Sequence, residues 1–381
     1  MKPTDKIRIA VLYGGRSAEH EVSLQSARNV IQYLDPAYFE IIPIGIDKQG
    51  NWFVGHDVFQ QSLEHKSVPK LQHQDKTWFT AEWIGKPTTG QQVKDIVLNK
   101  NGGALFDVVF PVMHGPLCED GTLQGLLELA NLPYVGCGVL ASAVGMDKDI
   151  SKRLALLSGI SVPLYQSIKK SNWQHHQAKI LSQLTSQFSF PVFVKPANTG
   201  SSVGITKVKT EANLESAIEE AFRYDTKILI EEAINALELE VAVLESLDSQ
   251  QDPIVSVVGE IKTKHEFYSY EAKYIDEHGA ELLIPASITD DLKEKARETA
   301  KQIFLALDCE GMARVDLFMD KNTHQIYFNE INTIPGFTTI SMYPKLLEAS
   351  GISYRELLTH LIQLAIKRHE AKTNLVRSYS D

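Results

Sequence analysis

Residues 311–343, GMARVDLFMDKNTHQIYFNEINTIPGFTTISMY, constrain the fold more than any other stretch of the chain. Two runs with period-two alternation, 312–319 and 325–332, flank the turn-rich segment DKNTH, a pattern that predicts a β-hairpin. In the first run Ala313, Val315, Leu317 and Met319 share one face, leaving Arg314 and Asp316 on the other. The second run places Glu330 and Asn332 on a face with Ile326 and Phe328. A turn centred near Asn322 sets Arg314 across from Glu330 with Asp316 diagonal to it, roughly 7–8 Å away between backbones. Three oxygen ligands and a cation then converge on one patch. Asp316, Glu330 and Asn332, with no Cys or His nearby, suit a hard ion such as Mg²⁺ or Mn²⁺. Magnesium on one or two carboxylates is magnesium that carries nucleotide phosphates. A solvated hairpin face with an Arg–Glu cross-strand pair is the alternative. It leaves two things unexplained: Phe328 and Ile326 on that face, and the loop TIPGFTTIS where an ordinary turn would follow Asn332.

With 381 residues, the chain has room for two or three domains. Its 43% hydrophobic and 23% charged residues are those of an ordinary globular protein. A net charge of -10 argues against nucleic acid as a partner, so anionic substrates must meet local Lys and Arg clusters. Cys118, Cys137 and Cys309 are odd in number and lie outside any metal spacing, which reads as reduced thiols in a cytoplasmic protein. No apolar run approaches the roughly 18 residues that a membrane span needs, so neither export nor membrane insertion is expected.

Taken in order, IRIAVLY is a buried parallel strand ending in Gly14-Gly15, followed by a helix with Val22, Leu24, Ala27, Val30 and Leu34 apolar. The intervening GGRSAEHE lacks the third glycine of a dinucleotide fingerprint. Glu19 and Glu21 are either first-turn acids favoured by the helix dipole, or Glu19 faces the crevice at the strand ends and holds an ammonium. A second strand covers 39–46. Residues 55–101, polar and irregular, read as peripheral hairpins or loop. A buried strand over 106–113 ends at His114, here a hydrogen-bonded loop residue or a ligand contact, and Thr122 is the expected N-cap of a helix through Leu129. Lys148 sits in the first turn of a helix starting near Asp147, where a cation has an anion to meet. FPVFVKPANTGSSVG is a strand ending in Lys195 with a loop of small residues whose N–H groups can close on an anion; it is no Walker A loop, since the lysine precedes the glycines. KILIEE closes a strand on Glu231 and Glu232, and Glu238 and Glu240 lie in the next; such acids accept from adenine or ribose, or mark an exposed edge. KHEFYSYEAKYI predicts a loop over a site. Amphipathic helices are expected over 290–307 and from Tyr354 to about residue 371.

The hairpin, the Lys-Pro/Gly-Ser loop, the Ile-Glu-Glu hinge and the strand–helix start together resemble the ATP-grasp ligases. GGRSAEHEVSL, HGPLCEDGTLQG, MDK, FVKPANTGSSVG, EAKY, RVD and NEINTIPGFTTISMYP, in this order, resemble the D-alanine–D-alanine ligases over nearly the whole chain. The resemblance implies an α/β fold, α+β in its C-terminal half: an ATP-grasp fold preceded by a Rossmann-like domain. The spans would be 1–135, 136–233 and 234–381. It implies that Lys148 and Lys195 grip ATP phosphates, with Ser202, Glu231, Glu232, Ile234 and Glu238 around the nucleotide. Asp316, Glu330 and Asn332 would carry two Mg²⁺ or Mn²⁺ ions. Glu19 would bind the ammonium of the first D-alanine, linked through Ser201 to Tyr274, with His114 beside it. Arg314 and the Gly336 N–H would form an oxyanion hole, and Ser341, Lys273 and Met342 would meet the second substrate. The implied reaction joins two D-alanines through an acyl phosphate in a cytoplasmic homodimer serving peptidoglycan synthesis, with D-serine or D-lactate as variant second substrates. From other classes, a nucleotide-dependent dehydrogenase is disfavoured by the missing glycine, and a non-catalytic nucleotide-binding module by the simultaneous presence of both lysines and all three oxygen ligands.

Overall fold

The computed structural model describes residues 6–65, 77–79, 106–263 and 280–376. Three sheets organise them. In the first, β1 (Ile7–Gly14), β2 (Phe39–Ile46), β3 (Trp52–Val54), β4 (Thr77–Phe79) and β5 (Val108–Pro111) lie in the order β4-β3-β2-β1-β5. β1 runs parallel to both β2 and β5, and from Ile9 onward its sequence is apolar because a central parallel strand is covered on both faces. The chain leaves it through Gly14 and Gly15 at φ 88° and 100°, a left-handed stretch that suits residues without a Cβ. It then enters α1 (His20–Tyr33), whose Leu24, Ala27 and Val30 join the core.

Two expectations fail in this part. The 55–101 stretch was expected to be hairpins or loop, yet it opens with a helix, α2 (His56–His65), that buries Val58 and Phe59. Phe59 sits edge-on to Tyr13 at 5.2 Å, so one narrow apolar stripe suffices to dock ten polar-looking residues. The rest of that stretch apart from β4 lies outside the described residues. Thr122 is not an N-cap but the first residue of α3 (Thr122–Leu129). Gly121 occupies the cap at φ 88°, and the Thr122 N–H donates to Asp120 Oδ1 at 3.0 Å, so an acid two positions upstream replaces the expected hydroxyl.

After α4 (Val139–Met146), α5 (Lys148–Leu157) starts as expected beside Asp147, whose side chain accepts from the Asp149 and Ile150 N–H groups. The second sheet is built from β6 (Tyr165–Lys169), β7 (Val192–Pro196), β8 (Thr206–Val208) and β9 (Lys227–Glu232) in the order β6-β9-β7-β8, all antiparallel. With α6 (Lys170–Gln187) and α7 (Leu214–Ala221) it closes its own core around Trp173, Leu184, Val194, Ile218 and Ile230.

The third sheet, β10 (Ala236–Leu244), β11 (Ile254–Thr263), β12 (Ala280–Leu283), β13 (Met312–Asp320) and β14 (Ile326–Asn332), runs β12-β11-β10-β13-β14, also antiparallel. One face buries Val241, Val315 and Phe328 against α8 (Asp290–Ala306) and residues of α4 and α5, including Ala141 and Ala155. Through α9 (Met342–Ala349) and α10 (Tyr354–Thr373) it shares a second core with the first sheet, joining Val11 and Phe110 to Ala242, Leu346 and Leu361. Among the described residues no helix is long and apolar enough to cross a membrane. The three cysteines are buried and unbridged.

The β13–β14 hairpin forms, but in a different register from the expected one. Arg314 pairs with Asn332 and Asp316 with Glu330, while Leu317 pairs with Phe328; the register shifts between Asp316 and Leu317, and Asn329 is the extra residue. Such a bulge puts two residues opposite one and reverses the in/out parity beyond it. Ile326 and Phe328 therefore face the core, 3% and 0% exposed, and do not share a face with Glu330 and Asn332. The apolar flanks that seemed out of place on a polar face are on the other side of the sheet.

Candidate active site

On the open face of the third sheet, β13 presents Arg314, Asp316 and Phe318, and β10 sets Glu240 opposite Asp316 and Glu238 opposite Phe318. Arg314 holds Asp316 with two bonds, Nε to Oδ1 and Nη2 to Oδ2, both 2.7 Å, and its Nε lies 3.0 Å from Glu240 Oε2. Burial by itself would lower the guanidinium pKa; Asp316 and then Glu240 reverse this and hold it well above its ordinary value. Asn332 Nδ2 donates to Asp316 Oδ2 at 3.1 Å, and Glu330 pairs with Lys148 at 3.1 Å. Glu240, read from the sequence as a nucleotide contact or an exposed edge acid, instead stands beside Arg314, and its two-residue spacing from Glu238 puts both on one strand face.

Among the described residues no group of three His, Cys, Asp or Glu is disposed to hold a metal ion alone. The donor set is two carboxylates and an amide, each already satisfied by a neighbouring group. A turned-over Asn332 amide would offer its oxygen, since nitrogen and oxygen there are close to isosteric. Such a set fits Mg²⁺ that arrives with phosphate oxygens completing its shell, and does not fit a resident all-protein site.

Across from this face stand the lysines. Lys148, in the first turn of α5, donates from Nζ to the Thr199 carbonyl at 2.7 Å. Lys195 at the end of β7 lies over the rings of Phe193 and Phe318 at 5.5 and 5.8 Å and pairs with Glu231 Oε1. Glu231, expected at the adenine, is 1% exposed and takes a second lysine, Lys152, on Oε2 at 2.9 Å. Its carboxylate thus braces two cations. Burial would raise its pKa, but Lys152 and Lys195 hold it low. Glu232 is also engaged, its Oε1 accepting the Leu164 N–H at 2.7 Å. Ile234 and Glu238, half-buried, lie at the passage from β9 to β10. Lys152, one turn after Lys148 in α5, was not anticipated; its i,i+4 spacing was the only signal.

The Gly-Ser loop turns through Ser201 and Ser202 at φ 51° and 59°. Ser201 Oγ donates to Glu19 Oε1, which brings the loop against the start of α1. A Cβ on Gly200 would come within 3.0 Å of Glu19 Oε2, so a larger residue would push the carboxylate aside. Glu119, another unanticipated acid, accepts the Gly115 N–H at 2.6 Å. His114 is buried between the Ile334 carbonyl at 3.1 Å and Ser26 Oγ at 3.2 Å, and burial lowers its pKa against the pull of Glu19. Gly336 is seated by its neighbour: the Phe337 N–H donates to Ser26 Oγ at 3.2 Å and its carbonyl accepts from Asn29 at 2.9 Å. Ser341 Oγ accepts the Thr338 N–H at 2.9 Å. Met342 is no substrate contact. It is 4% exposed in the core, packed so tightly on Gly259 that a Cβ there would overlap its Cε. Lys273 and Tyr274 lie outside the described residues.

A cleft of about 340 Å³, open to solvent, is lined by Glu119, Lys148, Thr199, Gly200, Glu330 and Asn332. Lys148 of α5 faces Glu330 of β14 across it, and the Gly-Ser loop closes one side. Family models described as D-ala D-ala ligase N-terminus and D-ala D-ala ligase C-terminus match residues 8–137 and 154–363. This chain belongs to the D-alanine–D-alanine ligase family. Its relatives in that family include D-alanine–D-alanine ligase A of Bradyrhizobium diazoefficiens, 48% identical with 99% of each chain covered. The D-alanine–D-alanine ligase of Caldicellulosiruptor bescii is likewise 48% identical, over 97% of this chain and 98% of the relative. Among solved structures, the VanG D-Ala:D-Ser ligase from Enterococcus faecalis superposes with a TM-score of 0.78 at 37% identity, covering 95% of this chain and 100% of that one. The D-alanine–D-alanine ligase from Coxiella burnetii gives 0.75 at 35% identity, covering 99% and 98%. The ATP-grasp fold expected from the sequence is that of these neighbours.

Proposed function

We infer that this protein joins two D-alanine molecules at the expense of ATP, making D-alanyl-D-alanine for peptidoglycan precursors. The observation that carries the reading is the pairing of Lys148 with Glu330 beside Asp316 and Asn332, with Lys195 over Phe318 on the same strand face, in a chain of this family. Amide formation from a free carboxylate in water is uphill, so the carboxylate must be activated. The first D-alanine's carboxylate attacks the γ-phosphorus and ADP leaves; the second amine then attacks the acyl carbon, inorganic phosphate leaves and the amine loses a proton. Lys148 and Lys195 orient and neutralise the phosphates. Asp316, Glu330 and Asn332 would hold Mg²⁺, which would supply further charge neutralisation. Glu19, fixed by Ser201, takes the ammonium of the first D-alanine, with His114 behind it. Arg314 and the Gly336 N–H face the oxyanion, and removing one such donor costs about 10²–10³ in rate. Ser341 holds the second carboxylate, and Lys273 and Tyr274, outside the described residues, take the substrate-binding and Ser201-linked roles that the family resemblance implies. Adenine and ribose fall to Glu238 and the backbone from Glu232 to Ile234, since Glu231 is occupied by lysines.

The reading includes a cytoplasmic homodimer with divisions at 135 and 233, one sheet falling in each span. Purified protein is expected to release ADP only with D-alanine and Mg²⁺, to lose activity in EDTA and to regain it with Mn²⁺. Equal turnover with L-alanine, or none with D-alanine, would overturn this. Because VanG, a D-Ala:D-Ser ligase, is similar in structure, dipeptide products are to be compared across D-alanine, D-serine and D-lactate.

A further inference from the structure

Lys152 is a fully buried cation that the mechanism above does not use. It is 0% exposed, its Nζ lies 2.9 Å from Glu231 Oε2 and 3.3 Å from the Phe328 carbonyl, and it sits 5.9 Å from the centre of the Phe328 ring. It is walled in on α5 against the core face of β14 and has no path to the cleft. Lys195 has such a path: it shares Glu231 through Oε1 while lying over Phe193 and Phe318 at the edge of the open face. The two lysines and one glutamate carry a net single positive charge.

A phosphate that draws the Lys195 ammonium to itself draws it away from Glu231. A carboxylate at 1% exposure cannot be rehydrated, and breaking a buried ion pair on one side is far costlier than removing both partners. We propose that Lys152 is a positioning residue for nucleotide binding: the fixed counter-charge that keeps Glu231 neutralised, so that Lys195 can leave it for the phosphates of ATP. Burial lowers the Lys152 pKa, Glu231 offsets part of that fall, and Lys195 adds to it. The inference rests on Lys195 as a phosphate ligand.

Binding of the β,γ-imido analogue of ATP with magnesium, by calorimetry, tests it alongside steady-state kinetics. Lys195→Met is expected to weaken binding by at least about tenfold; no change there removes the phosphate role of Lys195 itself. With that role intact, Lys152→Met is expected to raise the dissociation constant and the KM for ATP about tenfold while kcat stays within about threefold, because Lys195 is then held by Glu231. The double variant Lys152→Met with Glu231→Gln removes the buried charge altogether and is expected to return binding to within about threefold of the original. Unchanged binding in Lys152→Met, or a double variant no better than the single one, overturns the inference. Should Lys152→Met fail to fold, the double variant decides alone: near-original affinity supports the counter-charge role, and a loss of about tenfold refutes it.

Discussion

Glu119 and Glu19 both converge on Gly115: the Gly115 N–H bonds Glu119 Oε2 at 2.6 Å, and a Cβ on that glycine would stand 2.9 Å from Glu19 Oε2. Burial, and then the charge of Glu19, push the Glu119 pKa from 4.5 up to about 8. Across that window the folded chain keeps a proton that the unfolded chain has lost, so stability falls as pH rises through it and stays reduced above it. Replacing the group with Gln removes the titration. The melting temperature of Glu119→Gln is thus expected to gain on the original between about pH 5 and about pH 9, and parallel pH profiles would contradict the pairing. No sequence pattern marks Glu119 as special, because its shift comes from burial in the folded chain and then from an acid a hundred residues away. Met342 and Glu231 teach the same lesson in reverse. Both sit where site residues were expected, and only packing reveals that one fills the core and the other braces two lysines.

At the scale of the hairpin, alternation in 312–319 and 325–332 is enough to predict two strands, since a half-buried strand must alternate. What alternation cannot register is one residue that breaks it. The bulge at Asn329 assigns Phe328 to the core with Lys152 over its ring, whereas an unbroken strand would put it beside Glu330 at the nucleotide. Phe328→Ala is expected to cost about 3–5 kcal/mol of stability in urea unfolding, the range for a buried Phe. A loss confined to ATP affinity, with stability unchanged, would restore the unbroken register. Likewise α2 escaped notice because Val58 and Phe59 form too narrow a stripe to stand out among polar neighbours.

The molecule as a whole binds its site together through the segment after β14. Phe337 packs at 5.9 Å from Phe110 of the first sheet and 5.9 Å from Tyr343, and its carbonyl accepts from Asn29 at 2.9 Å and from Tyr354 at 2.7 Å. Gly336 thereby takes its place from both ends of the chain. Asn29→Ala, far from any phosphate, is expected to lower kcat about tenfold through misplacement of the Gly336 N–H while leaving the KM for ATP unchanged, as a small shift of a catalytic group does. A fall in ATP affinity with kcat intact would show that this seam serves another purpose. The sequence by itself determined the β13–β14 strands, the parallel strands β1, β2 and β5, the helices α1, α8 and α10, and the family, because hydrophobic period, turn chemistry and motif order are local properties. Only the tertiary structure decided the strand register at Asp316, the partners of Glu231 and the seat of Gly336. Each of these is a contact between residues far apart in the chain, chosen by packing and by the cost of leaving a buried charge unpaired.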